Sequence, residues 1–369
     1  MKKLIRYLTI VVVFSFLGCK SDNIKKIEIK EEINIEKGET LKLSKLIKSY
    51  SYITLDEKEL IGKIYKMKIT KDGFYIHDNL GKSILKYNNV GEFSYRISKS
   101  GRGPEEYLRI TDFIIDKSGR VEILNVGSHK RFWFDEKGNF LKQTEITSMD
   151  FNHTYFNESE IISYHHPGMN LKSKFALHIW DDKLNNLLNE DIEFGKYKDK
   201  FLNGSLYPFS KYQNTLNFCG DFSNIIYSIN EQGIIQPKYR LNFNHYEWPP
   251  ESEYKKFYDT NPYKFFDGME EYIHFLNFIE DDQKACITFY QEKNKIHAFF
   301  NKTTKEVLCA SKFEDDIGLG TTDFDIVANH EGYWYAIAET LNMDNIGILK
   351  EQGINISEKA PFIIIKFKL

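Results

Sequence analysis

A sequence that repeats itself at the spacing of one supersecondary unit limits what a chain can fold into more than any single motif does. The segment FYIHDNLGKSILKYNNVGEF, residues 74–93, returns forty-seven positions later as VEILNVGSHKRFWFDEKGNF, residues 121–140. Ile76 matches Ile123, Tyr87 matches Phe134, Gly91 matches Gly138 and Phe93 matches Phe140. Each copy reads as two short apolar strands, a turn closed by glycine, and the start of a further strand. Strand-built repeats of roughly 40–50 residues are the mark of propeller blades, which bury their faces by stacking around a ring.

Four strands fit each full repeat. Blade one reads Ile64–Ile69, Phe74–His77, Ile84–Tyr87 and Phe93–Ile97; blade two reads Ile110–Ile115, Val121–Leu124, Arg131–Phe134 and Phe140–Ile146. Asp72-Gly73 and Ser118-Gly119 supply the positive φ that tight hairpins need. The echo is weaker beyond them, with Glu160–Tyr164 and Phe175–Trp180 in blade three, and Thr215–Phe218 and Asn224–Ile229 in blade four. Blade five has Ala285–Tyr290, Ile296–Phe300 and Val307–Ser311; blade six has Phe324–Ala328, Tyr333–Ala338 and Phe362–Lys368. The expected fold is all-β, a six-bladed β-propeller of four-stranded antiparallel blades. Blade six is one strand short, and Tyr52–Leu55 is the expected donor, which closes the ring and removes an exposed edge.

Three segments, 186–212, 244–280 and 340–360, interrupt the repeats and are expected as partly helical insertions on one face. Helices are expected over Glu251–Tyr258, behind Pro249-Pro250, and over Met269–Phe278. Leu41–Tyr50 is expected to form a helical turn or two.

The first residues form a separate device. Lys2, Lys3 and Arg6 precede the apolar run Leu8–Leu17, which is too short to span a bilayer but fits a secretory signal. The run ends in FLGC, which resembles a bacterial lipobox and implies acylation of Cys19. The expected division is a lipoprotein signal peptide over 1–18, a tether and lead-in strand over 19–50, and the propeller over 51–369. The address is then the cell envelope, with a lipid anchor in the outer membrane facing the periplasm or the surface. The remaining Cys219, Cys286 and Cys309 are odd in number, so buried free thiols are expected rather than a disulfide framework. A net charge of −3 gives no bulk attraction to nucleic acid.

The joint between blades one and two is GRGPEEY, Gly101–Tyr107, followed by ITDFIID, Ile110–Asp116; the sequence ends in PFIIIKFKL. With the lipobox and the repeat, this resembles a family of six-bladed propeller lipoproteins of Gram-negative bacteria, TolB-like or NHL-like, whose members carry a G-x-G-P-G-E-Y loop at this joint. Glu105 stands where that loop has its third glycine, and Ala360 where Asn precedes the proline. The resemblance implies the fold and export. It implies no defined chemistry.

Loops joining strands two and three of a blade, and loops joining blade to blade, emerge on one face, where scaffolds of this kind carry function. Arg102, Glu105, Glu106 and Tyr107, with Trp248 of the aromatic insertion, are the candidate ligand-binding residues; an inter-blade clasp is the other reading of Gly101–Tyr107. His165 and His166 could join His153 or His178 around a metal, but no HExxH or CxxC spacing supports them and no metal site is expected. Glu314-Asp315-Asp316 with Asp323 and Asp325 is the one stretch where Ca²⁺ is conceivable, and no other cofactor is expected. There is no nucleophile elbow, P-loop or dinucleotide fingerprint, so no catalytic residue is named. The expected function is a membrane-tethered, non-catalytic binding module for a peptide, glycan or protein partner. The alternative is a metal-dependent, lactonase-like hydrolase with its site at the mouth of the central channel.

Overall fold

Asn88, Asp135 and Asn230 each stand three residues before a glycine, and Gly91, Gly138 and Gly233 have φ of 88°, 82° and 74°. Each Oδ1 accepts two backbone N–H groups of its turn: Val90 and Glu92, Lys137 and Asn139, Gln232 and Ile234. A left-handed glycine and a side-chain acceptor together fix the reversal, so these turns are built from one local grammar.

The computed structural model describes residues 29, 31–166, 173–195, 204–253, 270–340, 346–354 and 361–369. Strands β1 (Glu31–Ile35), β2 (Glu39–Lys42) and β3 (Ser49–Thr54) lead in. Blade one is β4 (Ile64–Thr70), β5 (Gly73–Asp78), β6 (Ser83–Tyr87) and β7 (Phe93–Ile97). Blade two is β8 (Asp112–Ile115), β9 (Val121–Asn125), β10 (Lys130–Phe134) and β11 (Phe140–Glu145). Blade three is β12 (Asn152–Tyr155), β13 (Glu160–Tyr164), β14 (Phe175–Asp181) and β15 (Leu187–Glu193). Blade four is β16 (Phe209–Tyr212), β17 (Thr215–Cys219), β18 (Ile225–Ile229) and β19 (Ile235–Phe243). Blade five is β20 (His274–Glu280), β21 (Lys284–Gln291), β22 (Asn294–Asn301) and β23 (Val307–Glu314). Blade six is β24 (Asp325–His330), β25 (Tyr333–Glu339) and β26 (Phe362–Lys368), completed by β3.

The closing strand behaves as expected: β26 pairs antiparallel with β3, Ile364 opposite Ile53 and Ile365 opposite Tyr52. The rest of the lead-in differs from expectation. Residues 31–42 are not a tether, because β1 and β2 add in parallel to β19 and β23 as fifth, outermost strands of blades four and five. Burial explains this: Ile33 and Ile35 are fully enclosed against Tyr239 and Leu241. The helix expected over Leu41–Tyr50 reduces to one 3-10 turn, Leu43–Lys45.

Two insertions also shrink. Within 186–212 lie the outer strand of blade three and the inner strand of blade four, and the second half of the helix expected over Met269–Phe278 is β20. β20 buries Leu276 and Phe278 on the same side, a period of two that overrides the helical reading. Glu251–Glu253 is helical, and α1 (Ile346–Glu351) is a second short helix; the rest of the aromatic insertion, 254–269, lies outside the described residues. So do Cys19 and the signal segment. No helix among the described residues is long and apolar enough to cross a membrane. Cys219 and Cys286 are buried, Cys309 is partly buried, and all three are free thiols.

Apolar layers between the blades form the core. Phe113, Val121, Ile123, Phe132 and Phe134 of blade two pack on Tyr75, Ile84 and Ile97 of blade one. The next layer, between blades two and three, is apolar only in part: Ile114, Leu124, Ile146, Ile161, Trp180 and Leu184.

Candidate functional site

The blade-joining loops and the first residues of the inner strands enclose a cavity of about 1110 Å³ on the ring axis. Its wall includes Tyr65 and Lys66 of β4, Arg109 from the joint, Asn152 of β12, Tyr207 before β16 and Tyr290 of β21. Its mouth is therefore on the loop-rich face.

Inner strands begin at this wall, and their polar residues are cross-linked around it. Lys66 Nζ donates to Asp112 Oδ1 at 2.8 Å, and Asp112 Oδ2 accepts the His153 N–H at 2.8 Å. Burial pushes the Asp112 carboxyl up, but Lys66 and Lys68 outweigh it and bring it down to about 2. Across the cavity, Lys295 Nζ meets Asp323 and Asp325 at 2.8 and 2.7 Å. Beside Asn152, the His166 ring stands 4.4 Å from Tyr164 and its Nε2 lies 2.8 Å from Asn152 Oδ1; burial lowers this histidine to about 3. Gly204 is needed here, since a Cβ would come within 2.2 Å of Asp221 Oδ2 and 2.4 Å of the His166 ring. Burial raises Asp221 to about 6, and its Oδ2 accepts the Tyr164 hydroxyl at 2.7 Å.

Not every cation at the wall is used. Lys66 and Lys295 have the partners just given, and Lys293 meets Glu270 at 3.4 Å. Lys63, Arg109 and Lys312 line the cavity with no carboxylate within ion-pair distance among the described residues.

None of the five residues singled out in the sequence lines this cavity. Tyr107 is a clasp: it is fully buried, its hydroxyl reaches the carbonyls of Lys82 and Ile97, and it accepts the Lys99 N–H. Expected as a ligand contact, it instead ties the joint to blade one. Glu106 Oε2 accepts the Gly103 N–H at 2.7 Å, and Glu105 pairs with Lys99 at 3.1 Å on the surface. Arg102 is exposed. Trp248 is half-buried, donates to Asn224 Oδ1 at 2.7 Å and packs on Phe222 and Phe243. The acidic stretch is likewise engaged by its own chain. Asp315 accepts N–H groups of Ile317, Leu319 and Gly320, Asp316 accepts the N–H and the hydroxyl of Ser44, and Asp323 and Asp325 hold Lys295.

A second polar assembly lies behind the wall, in the layer between blades two and three. Arg131, fully buried, meets Glu122 and donates to the Tyr155 hydroxyl at 2.7 Å. Further along, Asp150 faces His165 Nδ1 at 2.7 Å and His178 Nδ1 at 2.9 Å, with Ser163 Oγ and Trp180 Nε1 also on its Oδ2. Register explains the gathering, since β13 and β14 place Ser163 opposite His178, with His165 two residues on along the same face. Asp150, His165 and His178 offer three ligand atoms within 4.8 Å of one another, and all three residues are buried. Of the histidines considered in the sequence, His165 and His178 thus come together, while His166 turns to the cavity and His153 to Ser148.

Sequence reasoning missed Tyr65, Lys66, Arg109, Asp150 and Tyr290. One signal was available: Lys66, Lys68 and Asp112 are charged residues set among the apolar residues of inner strands β4 and β8, where charge costs energy unless it is paired.

The family model described as a domain of unknown function, DUF4934, matches residues 24–363. The chain belongs to DUF4934. No protein of curated function matches this DUF4934 member in sequence. Its fold is similar to that of a protein described as exported from Bacteroides fragilis NCTC 9343, at 15% identity and TM-score 0.78, over 92% of this chain and 99% of that one. It is also similar to a member of the DUF4221 family from Bacteroides vulgatus, at 10% identity and TM-score 0.51, over 87% and 96% of the two chains. At these identities the likeness of the DUF4934 chain to both is one of fold.

Proposed function

We propose that this chain is an exported, lipid-anchored binding module that takes an anionic segment of a peptide or glycan into the central cavity. The observation that carries this reading is the cavity itself, about 1110 Å³ and lined by Tyr65, Tyr207 and Tyr290 together with Lys63, Arg109 and Lys312, which have no carboxylate at ion-pair distance among the described residues. Rings give contact area at low entropic cost, and unpaired cations in a recess favour a negative group. The hydrolase reading needs metal-binding groups converging in the cavity, and the Asp150, His165 and His178 group does not line it.

Export is supported by Lys2, Lys3, Arg6 and the run Leu8–Leu17, and anchoring by FLGC ending at Cys19. The Bacteroides fragilis neighbour is itself described as exported. Cys19→Ser is expected to abolish labelling by a palmitate analogue and release the protein from membranes.

The binding test is an array of acidic and neutral oligosaccharides and peptides, probed with wild type and with Arg109→Glu. Acidic members are expected to bind wild type and to lose at least about tenfold in affinity with the variant, at unchanged melting temperature. Binding that is indifferent to the charge reversal would sink the assignment.

A further inference from the structure

Every buried carboxylate in the layer between blades two and three except one has a cation of its own. Glu122 has Arg131 and Asp112 has Lys66, whereas Asp150 has no Lys or Arg within ion-pair distance among the described residues. Its ion-pair-distance neighbours are instead the two imidazoles of His165 and His178. We propose that Asp150, His165 and His178 bind a structural first-row divalent cation, zinc foremost, that ties the root of the β13–β14 connection to the cavity wall.

The donor set is that of zinc: two imidazole nitrogens and a carboxylate, with Ser163 Oγ beside Asp150 as a further oxygen. Zinc bonds of about 2.0–2.1 Å to nitrogen and carboxylate oxygen put tetrahedral ligand atoms somewhat over 3 Å apart. Asp150, His165 and His178 hold their ligand atoms within 4.8 Å of one another, so small rotations of the three side chains bring them to that spacing around one ion. The His165 and His178 rings lie stacked, with centroids 4.9 Å apart and planes 25° apart, and both Nδ1 atoms face the carboxylate.

Enclosure makes the site structural rather than catalytic. Asp150, His165 and His178 are 1%, 1% and 4% exposed, and a closed coordination shell has no position for substrate. The ion would still act on the binding site. Asp150 precedes Phe151 and Asn152, and His165 precedes His166; Phe151, Asn152 and His166 line the cavity. His166 and Asn152 also meet at 2.8 Å, so two of the ligands sit directly behind one hydrogen-bonded piece of wall.

The test uses the full chain, dialysed against metal-free buffer and then titrated with Zn²⁺ alone and, separately, Co²⁺ alone. The expected result is about one ion per chain by elemental analysis, a higher melting temperature with Zn²⁺, and visible Co²⁺ bands of a low-coordinate site. His165→Gln and His178→Gln, shown to be folded by circular dichroism, are expected to hold Zn²⁺ about 100-fold more weakly or worse. Wild type that keeps less than about a tenth of an equivalent and shows no Co²⁺ bands overturns the proposal. So does equal uptake by folded variants. Should both variants fail to fold, the wild-type Co²⁺ spectrum decides alone, since its absence is sufficient to reject the site.

Discussion

The two faces of blade two differ in kind. Toward blade one, Val121, Ile123, Phe132 and Phe134 make an apolar seam closed at its loop end by Tyr107. Toward blade three, the alternate residues Glu122, Leu124, Arg131 and Trp133 carry two charges into the interior. The same two strands supply both faces because side chains alternate. The apolar seam tolerates small shifts, since dispersion and the hydrophobic effect have little directionality. The polar seam does not, because an ion pair with its partner removed leaves a buried charge. A ring needs the first kind for cohesion; the second fixes geometry beside the cavity.

Deleting 361–369 removes the strand that joins β25 to β3 and closes the ring, and should have the largest effect. It strips Phe362, Ile364 and Phe367 from the core, each worth on the order of 1.5–3 kcal/mol, against a whole-domain stability of about 5–15. Loss of a cooperative melting transition is expected; wild-type melting would refute closure by this strand.

Single substitutions then separate the seams. Phe132→Ala and Arg131→Ala should each cost about 3–5 kcal/mol in denaturant unfolding, the first by a cavity, the second by stranding Glu122. The pair Glu122→Leu with Arg131→Met should recover most of the second loss and none of the first. If the double variant is as unstable as Arg131→Ala, the seam's charges do more than balance each other.

Acid acts on both seams by a smaller increment per pH unit. Burial lowers His77, toward blade one, and His153, toward blade three, to about 4, so both are neutral in the folded chain at pH 5. The unfolded chain takes up those protons near pH 6.5, so stability falls as pH drops from about 6.5 to 4, by at most about 1.4 kcal/mol per unit for each histidine. His77→Gln and His153→Gln should each flatten this slope over the same window. A slope unchanged by either variant would mean that the histidine is not held neutral.

The smallest effect is expected at the motif most conspicuous in sequence. Arg102→Ala and Glu106→Ala should each shift stability by less than about 1 kcal/mol, because both side chains are exposed and Glu106 holds only the Gly103 N–H. Tyr107→Ala at the same loop should instead cost about 3–5 kcal/mol, since it empties a fully enclosed ring site.

That contrast marks what the amino-acid sequence determined by itself. The blade repeat, the glycine turns at Gly91 and Gly138, and the closing partner for β26 were legible, because each rests on period-two alternation or on a local backbone requirement. GRGPEEY was legible as a bend, yet its spacing could not distinguish a clasp from a ligand loop, and burial of Tyr107 made it a clasp. The strands at 31–42 escaped because their pairing partners lie more than two hundred residues away in sequence. Tyr65, Arg109 and Tyr290 come from three different blade positions, and Asp150, His165 and His178 from a loop and two strand registers. Closure of the ring, which sets inner strand against inner strand, and the pairing of β13 with β14, which puts Ser163 opposite His178, decided which of the chain's many polar residues would meet.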